Sequence, residues 1–205
     1  MKIHPQPTKL QALVLRLFAA AGAQSVLDVG CGPTGTWAKL IANRGLDVVG
    51  VDPRARPIDI PGLKLYRCKH QELASSIKFD AAIVVFVLHS LSNGEREEIL
   101  TKLFTTNVKP TGSVIVIDYQ LAAALDVCSA TLLEVLADEL LASALELSLS
   151  HFREFWAVSF DDTMRGEIQS IVDRTEFRGS TIMIGYPRLE VVTLLSVGKD
   201  AVSNT

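Results

Sequence analysis

A cluster of glycines follows a short apolar segment near the start of the chain. Gly30, Gly32 and Gly35 are spaced as G-x-G-x-x-G, and Asp28 lies two positions before the first of them. Glycines at such a turn let the backbone bend sharply and approach a ligand closely. Asp52 ends the next apolar segment, where a carboxylate can accept hydrogen bonds from both hydroxyls of a ribose. The spacing therefore predicts a nucleotide-like ligand at the carboxyl ends of two parallel strands.

Asp28 separates two ligand classes that this spacing allows. A dinucleotide places its pyrophosphate at the N-terminus of the following helix, and an acid beside that position is a poor neighbour for the negative charge. S-adenosylmethionine has no phosphate and carries a sulfonium and an ammonium group, with which an acid is compatible. Asp28 therefore favours S-adenosylmethionine, whereas the glycine spacing alone also fits an NAD-dependent oxidoreductase.

The segments around the turn alternate between strand and helix patterns. Strands are predicted over 25–30, 47–52, 63–69, 79–88 and 109–119, and helices over 8–22, 36–45, 94–107 and 161–175. The segment 180–199 is predicted as two antiparallel strands, because only a tight turn at residues 186–188 joins them. This alternation predicts an α/β domain with a mostly parallel sheet and right-handed crossovers. We expect one domain over 1–205, with 120–157 as a helical cap inserted after the fifth strand.

Composition limits the class of protein and its surroundings. The 205 residues are 48% hydrophobic with a net charge of −3, which indicates one globular domain without the basic footprint of a general nucleic-acid binder. Three widely spaced cysteines argue against a disulfide framework or a zinc site, so we expect no metal and a reducing, cytoplasmic location. No segment has the pattern of a signal peptide or a membrane span. One local group of basic residues is interpreted as a solvated loop and sheet edge: Arg54, Arg56, Lys64, Arg67 and Lys69.

Four segments resemble, in order, the signature segments of class I S-adenosylmethionine-dependent methyltransferases. They are VLDVGCGPTGTW, VVGVD, FDAAIVVFVLHSL and VKPTGSVIVID, all within residues 22–119. The resemblance implies a Rossmann-like, seven-stranded, mostly parallel sheet with helices on both faces and an antiparallel final strand. It also implies S-adenosyl-L-methionine as cofactor and methyl transfer to oxygen, nitrogen or carbon of a small or medium-sized acceptor. A non-catalytic protein that retains the cofactor-binding fold stays as an alternative.

The resemblance also assigns residues to the cofactor. Asp28, Gly30 and Gly32 are expected on the methionine side and Asp52 at the ribose, with Cys31 inside the turn as a small filler. The full set of expected cofactor contacts is Asp28, Gly30, Cys31, Gly32, Asp52, Pro53, His70, Gln71 and Phe86. Two departures from the family pattern stand out. The turn has an extra residue before Gly35, and Lys69, His70 or Gln71 stands where an acid usually contacts the adenine.

The acceptor pocket is expected beside the fourth and fifth strands. His89 follows the fourth strand, and its ordinary pKa near 6.5 would suit a general base if the acceptor must lose a proton. Packing at a strand end is the competing interpretation of His89. Asp118 at the end of the fifth strand, together with His151 and Phe155 in an aromatic-rich segment, completes the expected pocket. A small-molecule acceptor is favoured, and an RNA or protein acceptor stays open.

Overall fold

The computed structural model describes residues 9–74, 76–119, 162–186 and 194–197. The predicted cap over 120–157 lies outside these ranges, and so do His151 and Phe155. Four helices and eight strands are assigned in the described ranges. The helices are α1 Lys9–Ala20, α2 Thr36–Ala42, α3 Asn93–Lys102 and α4 Asp162–Asp173. The strands are β1 Ser25–Val29, β2 Asp47–Val51, β3 Ile58–Ile60, β4 Leu63–Tyr66, β5 Phe79–Val85, β6 Val108–Tyr119, β7 Ser180–Tyr186 and β8 Leu194–Val197.

All eight strands form one sheet in the order β3-β4-β2-β1-β5-β6-β7-β8. The neighbours from β4 to β7 are parallel, and β8 runs antiparallel to β7. The seven predicted strands and the antiparallel last strand are confirmed. The additional strand is β3, which pairs antiparallel with β4 at the opposite edge. Its three residues lie between Pro57 and Pro61, which explains why the sequence pattern did not reveal a strand there.

The helices cover both faces of the sheet, as predicted. Alternate side chains of β1 point to opposite faces, so Val26 packs with α1 and α2 whereas Leu27 and Val29 pack with α3 and α4. Asp28 shares the orientation of Val26 and therefore points toward α2. The two apolar layers leave the carboxyl ends of β1, β2, β5 and β6 along one edge of the sheet.

Two strands end earlier than their apolar patterns predicted. The fourth predicted strand, 79–88, ends at Val85, because Phe86 adopts a left-handed backbone conformation with φ 52°. A short 3-10 turn over Leu88–Ser90 follows before Ser92 caps α3. The third predicted strand, 63–69, ends at Tyr66, and another 3-10 turn covers His70–Glu72. Apolar residues continue past Val85, and the alternation of apolar and polar residues continues past Tyr66, so neither pattern marked the end of its strand.

Candidate cofactor site

The glycine turn is attached to the end of β2 by backbone hydrogen bonds. The N–H groups of Gly30 and Cys31 both donate to the carbonyl of Val51, at 2.8 and 3.2 Å. Gly30 and Gly32 have φ values of 73° and 70°, a region that strongly favours glycine. Gly35 precedes the first residue of α2 with φ 62°, as expected for a glycine that serves the start of the helix. The turn therefore joins β1, β2 and α2 into one unit at the carboxyl edge.

Asp52 is held inside this unit by two backbone donors. Its Oδ2 accepts a hydrogen bond from the Gly32 N–H at 3.1 Å, and its Oδ1 accepts one from the Arg54 N–H at 2.6 Å. The Arg54 guanidinium adds an ion pair at 3.6 Å. Only 6% of the residue is exposed. A carboxylate has about four lone-pair directions, so these contacts orient Asp52 and leave it able to accept bonds from a diol.

Asp28 lies beneath the first turn of α2 and is 1% exposed. The Ala38 N–H donates a hydrogen bond to its carboxyl group, whereas its Oδ2 has no hydrogen-bond partner. Burial, with a further contribution from the charge of Asp52, raises the pKa of Asp28 from 3.8 to about 7. The bond from Ala38 opposes this increase. Asp28 and Asp52 are thus two neighbouring acids with different partners. Asp52 accepts two backbone hydrogen bonds and an ion pair, whereas one oxygen of Asp28 has no hydrogen-bond partner.

Cys31 is a buried free thiol inside the glycine turn. Its Sγ lies 3.6 Å from the Gly32 carbonyl. Burial, followed by the charges of Asp28 and Asp52, raises the pKa of the Cys31 thiol well above its ordinary value, so the thiolate is disfavoured. A Cβ built on Gly50 would lie 3.0 Å from the Cys31 Sγ. These contacts support the small-filler interpretation of Cys31.

The segment after β5 closes the site from the other side. A Cβ added to Gly30 would overlap the Val87 side chain, so the two loops are in direct contact. The Phe86 N–H donates to the Ile117 carbonyl at 2.8 Å, which ties this loop to β6. Phe86 is the one non-glycine residue with a positive φ among those described. Strained residues of this kind concentrate at functional sites, which is consistent with a cofactor-facing loop.

His70 and Gln71 contact α3 and the π-helical turn Leu103–Asn107 that follows it, rather than the glycine turn. His70 is 4% exposed, and its Nε2 lies 2.8 Å from the Asn107 Oδ1. Asn107 directly precedes Val108, which pairs with Phe79 at the amino end of β5. The His70 ring therefore lies toward the amino ends of these strands, and its adenine contact stays a prediction. The Gln71 amide donates to Glu98 Oε2 at 3.1 Å, so its nitrogen is engaged by α3.

The remaining predicted residues divide between the carboxyl edge and undescribed positions. Pro53 is exposed directly after Asp52. Asp118 is fully buried near the carboxyl end of β6, opposite Gly185 of β7. The backbone of His89 lies in the turn Leu88–Ser90 next to Phe86. The structure thus brings the segments of Asp28, Gly30, Gly32, Asp52 and Phe86 together, whereas the predicted acceptor contacts from 151 and 155 lie outside the described ranges.

Sequence reasoning missed the donor that satisfies Asp28. The Ala38 N–H is a backbone group, so no residue type in the sequence signals it. Sequence reasoning also missed that a Cβ on Gly35 would overlap Leu65 of β4, which requires glycine there for packing as well as for φ. Among the described residues, no group of three or more His, Cys, Asp or Glu side chains is arranged to hold a metal ion. In those same ranges, none of the helices is long and apolar enough to cross a membrane.

Comparison with known proteins identifies the family. A family model described as a methyltransferase domain matches residues 3–175. No curated protein matches the chain significantly. The methyltransferase domain of bacterial CtHen1-C is 17% identical, with 81% of this chain and 83% of that chain covered and a TM-score of 0.59. A putative methyltransferase from an antibiotic biosynthesis pathway of Anabaena variabilis is 16% identical, covering 87% and 65%, with a TM-score of 0.55.

A third match is shorter. The 1,6-didemethyltoxoflavin-N1-methyltransferase of Burkholderia thailandensis is 22% identical over 51% of this chain, with a TM-score of 0.41. The match spans about half of that protein's length, 48%. At these identities the solved structures establish the fold alone, whereas the family model covers most of the chain. The chain therefore belongs to the methyltransferase-domain family and has the class I, Rossmann-like fold of proteins whose cofactor is S-adenosyl-L-methionine.

Proposed function

We propose that this chain transfers the methyl group of S-adenosyl-L-methionine to an oxygen, nitrogen or carbon atom of a small or medium-sized acceptor. The observation that carries the proposal is the arrangement of Asp28, Asp52 and the glycine turn at the carboxyl edge. Methyl transfer is a displacement at a carbon that the sulfonium already activates. The protein then contributes mainly proximity and orientation, with a ceiling of roughly 7–11 kcal/mol.

The environment of Asp28 supports S-adenosylmethionine over a dinucleotide. A pyrophosphate needs free N–H donors at a helix N-terminus, but Asp28 already takes the Ala38 N–H in the first turn of α2. Its buried carboxyl also places an acid where a phosphate would bring further negative charge. An ammonium or sulfonium group nearby would instead favour the ionised form of Asp28.

Asp52 supports a ribose contact next to Asp28. Two backbone donors fix its carboxylate, so little side-chain freedom remains to be lost when a ribose diol binds. Exposed Pro53 follows Asp52 and is proposed to lie against the adenine. His70 and Gln71 are engaged elsewhere, so we propose that the adenine is held mainly by shape and by backbone groups.

The acceptor is proposed to approach the carboxyl ends of β5 and β6. Phe86 and Val87 form the loop there, Asp118 lies near the end of β6, and the backbone of His89 follows in the same turn. We propose that His89 acts as the general base when the acceptor must lose a proton. The low aromatic content of 6% and the net charge of −3 favour a small acceptor over a general RNA substrate. The cysteine pattern of the sequence supports a cytoplasmic location.

Calorimetric titration with S-adenosylhomocysteine tests the cofactor assignment. We expect saturable binding to the wild-type chain and at least tenfold weaker binding to Asp52→Asn, which keeps the side chain's shape but loses its charge and one acceptor. Asp59→Asn is the matched control, because Asp59 is an exposed acid on β3 and its loss should leave the affinity unchanged. Binding of NAD with no binding of S-adenosylhomocysteine would overturn the proposal.

Turnover is tested separately by following S-adenosylhomocysteine formation from S-adenosylmethionine with a panel of hydroxyl, amine and acidic-carbon acceptors. Formation of S-adenosylhomocysteine that requires both an acceptor and Asp52 would support methyltransferase activity. Tight cofactor binding with no product across all three acceptor classes would favour the non-catalytic alternative.

A further inference from the structure

Basic side chains gather at the β3–β4 edge of a chain that is otherwise acidic. Residues 54–69 contain five Lys or Arg and one Asp, a net charge of +4. The whole chain carries −3, so the other residues together carry −7. Each of the five cations is exposed: Arg54, Arg56, Lys64, Arg67 and Lys69. We call these residues together with Tyr66 the basic edge. Such separation of charge steers anionic partners to one part of a surface.

The fold brings the two ends of this segment together. The Arg67 Nε donates to the Ala55 carbonyl at 3.2 Å, so the loop after β4 contacts the loop after β2. Ala55 lies between Arg54 and Arg56, and the three arginines therefore share one end of the hairpin. Leu63 and Leu65 are buried on one face of β4, so Lys64 and Tyr66, which alternate with them, point to the opposite face. Tyr66 is 40% exposed.

Existing partners leave most of this charge available. Lys64 lies 3.7 Å from Asp59, but the two side chains are 50% and 74% exposed, and exposed pairs of this kind contribute little. Arg54 pairs with Asp52 and belongs to the cofactor site. Lys69 interacts electrostatically with Glu95, and both residues are exposed, so this interaction also contributes little. Four cations therefore remain for an anionic partner: Arg56, Lys64, Arg67 and Lys69.

The edge is not suited to strand addition. Pro57 and Pro61 flank β3, and proline at an edge blocks pairing with another strand. A partner at this edge must therefore be recognised by charge and by the exposed ring, and not by backbone hydrogen bonds. Spaced cations beside an exposed aromatic ring are the features that bind single-stranded nucleic acid, with phosphates on the cations and bases stacked on the ring.

We propose that the basic edge is a docking surface for single-stranded nucleic acid. The surface adjoins the cofactor site, because the Tyr66 carbonyl accepts the Asp52 N–H at 3.3 Å. It lies at the β4 end of the sheet edge, away from β5 and β6 where the acceptor is proposed to bind. The residues varied below are Arg56, Lys64 and Tyr66, and none of them is a proposed cofactor or acceptor contact. Failure of either proposal therefore leaves the other open to its own test.

Fluorescence anisotropy with a labelled 12-residue oligouridylate RNA tests the surface over a series of salt concentrations. Four phosphate contacts predict a slope of about −3 for log K against log salt, from roughly −0.7 per contact for a single strand. The double variant Arg56→Gln, Lys64→Gln should flatten the slope to about −1.4, since two contacts remain. Tyr66→Ala should weaken binding about tenfold through lost stacking while the slope stays the same.

The matched control removes the same charge elsewhere. Lys78 and Arg174 are exposed residues outside the basic edge, and Lys78→Gln, Arg174→Gln should retain the wild-type slope and affinity. Circular dichroism and thermal melting verify that each variant keeps its fold, whether or not S-adenosylhomocysteine binds. Absence of RNA binding at low salt overturns the proposal. So does equal weakening by the control variant, or a Tyr66→Ala variant that binds as tightly as wild type, because either result would reduce the edge to general electrostatic attraction.

Discussion

Replacing Asp28 with asparagine should change how the stability of the empty protein depends on pH. The pKa of Asp28 is about 7 in the folded protein and 3.8 as its ordinary value. Between these values the folded state binds more protons than the unfolded state. The free energy of unfolding contributed by Asp28 must therefore decrease as the pH rises through this window.

The size of the effect follows from the same two values. Each unit of pH in the window changes the free energy of unfolding by up to about 1.36 kcal/mol. From about pH 5 to about pH 8 the group titrates over roughly two effective units, so wild type should lose about 2–3 kcal/mol through Asp28. Asp28→Asn cannot ionise and should lack this loss. An unpaired amide in the variant lowers its stability equally at every pH, so only the difference in slope is diagnostic.

Urea denaturation of both proteins across this pH range measures the difference directly. Subtracting the variant profile from the wild-type profile cancels the other titrating groups. Saturating S-adenosylmethionine should flatten the wild-type profile, because a cationic ligand favours the ionised carboxyl. Parallel profiles without ligand would refute the reasoning, since they would mean that Asp28 is ionised throughout at no cost to the fold.

Three further outcomes are expected. Burial lowers the pKa of His70 from 6.5 to about 4, so wild type should lose roughly 3 kcal/mol of stability as the pH falls between these values. The His70→Gln variant should not show this loss in urea denaturation. A wild-type stability that does not fall in this pH range would contradict the burial of His70. Phe86→Gly and Phe86→Ala both remove the ring, but only glycine adopts the left-handed backbone conformation without strain. The glycine variant should therefore be more stable than the alanine variant by about 1 kcal/mol. Equal melting temperatures of the two variants would argue against strain at Phe86. If His89 is a general base, His89→Ala should reduce turnover by roughly 10²–10⁴-fold while S-adenosylhomocysteine affinity, measured by calorimetry, stays constant; full turnover would remove the assignment.

The order of strands and helices was predictable because each element has a local pattern. Continuous apolar runs marked β1 and β5, and helical periodicity marked α1. The glycine turn was also predictable, since positive φ at Gly30 and Gly32 nearly requires glycine. The short strand β3 was not, because its three residues acquire strand geometry only by pairing with β4.

The positions of single side chains depended on contacts between distant segments. His70 and Gln71 follow a strand that ends beside the site, and the family resemblance implied a cofactor contact there. Their partners are Asn107 and Glu98, which lie 37 and 27 residues away in the chain. A local sequence pattern does not predict such long-range pairs.

The sequence by itself indicated the class of ligand, because residue types decide charge: an acid at position 28 beside the glycine turn suits a cationic nucleoside better than a pyrophosphate. Only the tertiary structure decided how those residues act. Burial of Asp28 under α2 raises its pKa, and the N–H groups of Gly32 and Arg54 orient Asp52. These effects arise from desolvation and from backbone donors brought together by folding, and neither is a property of a residue type.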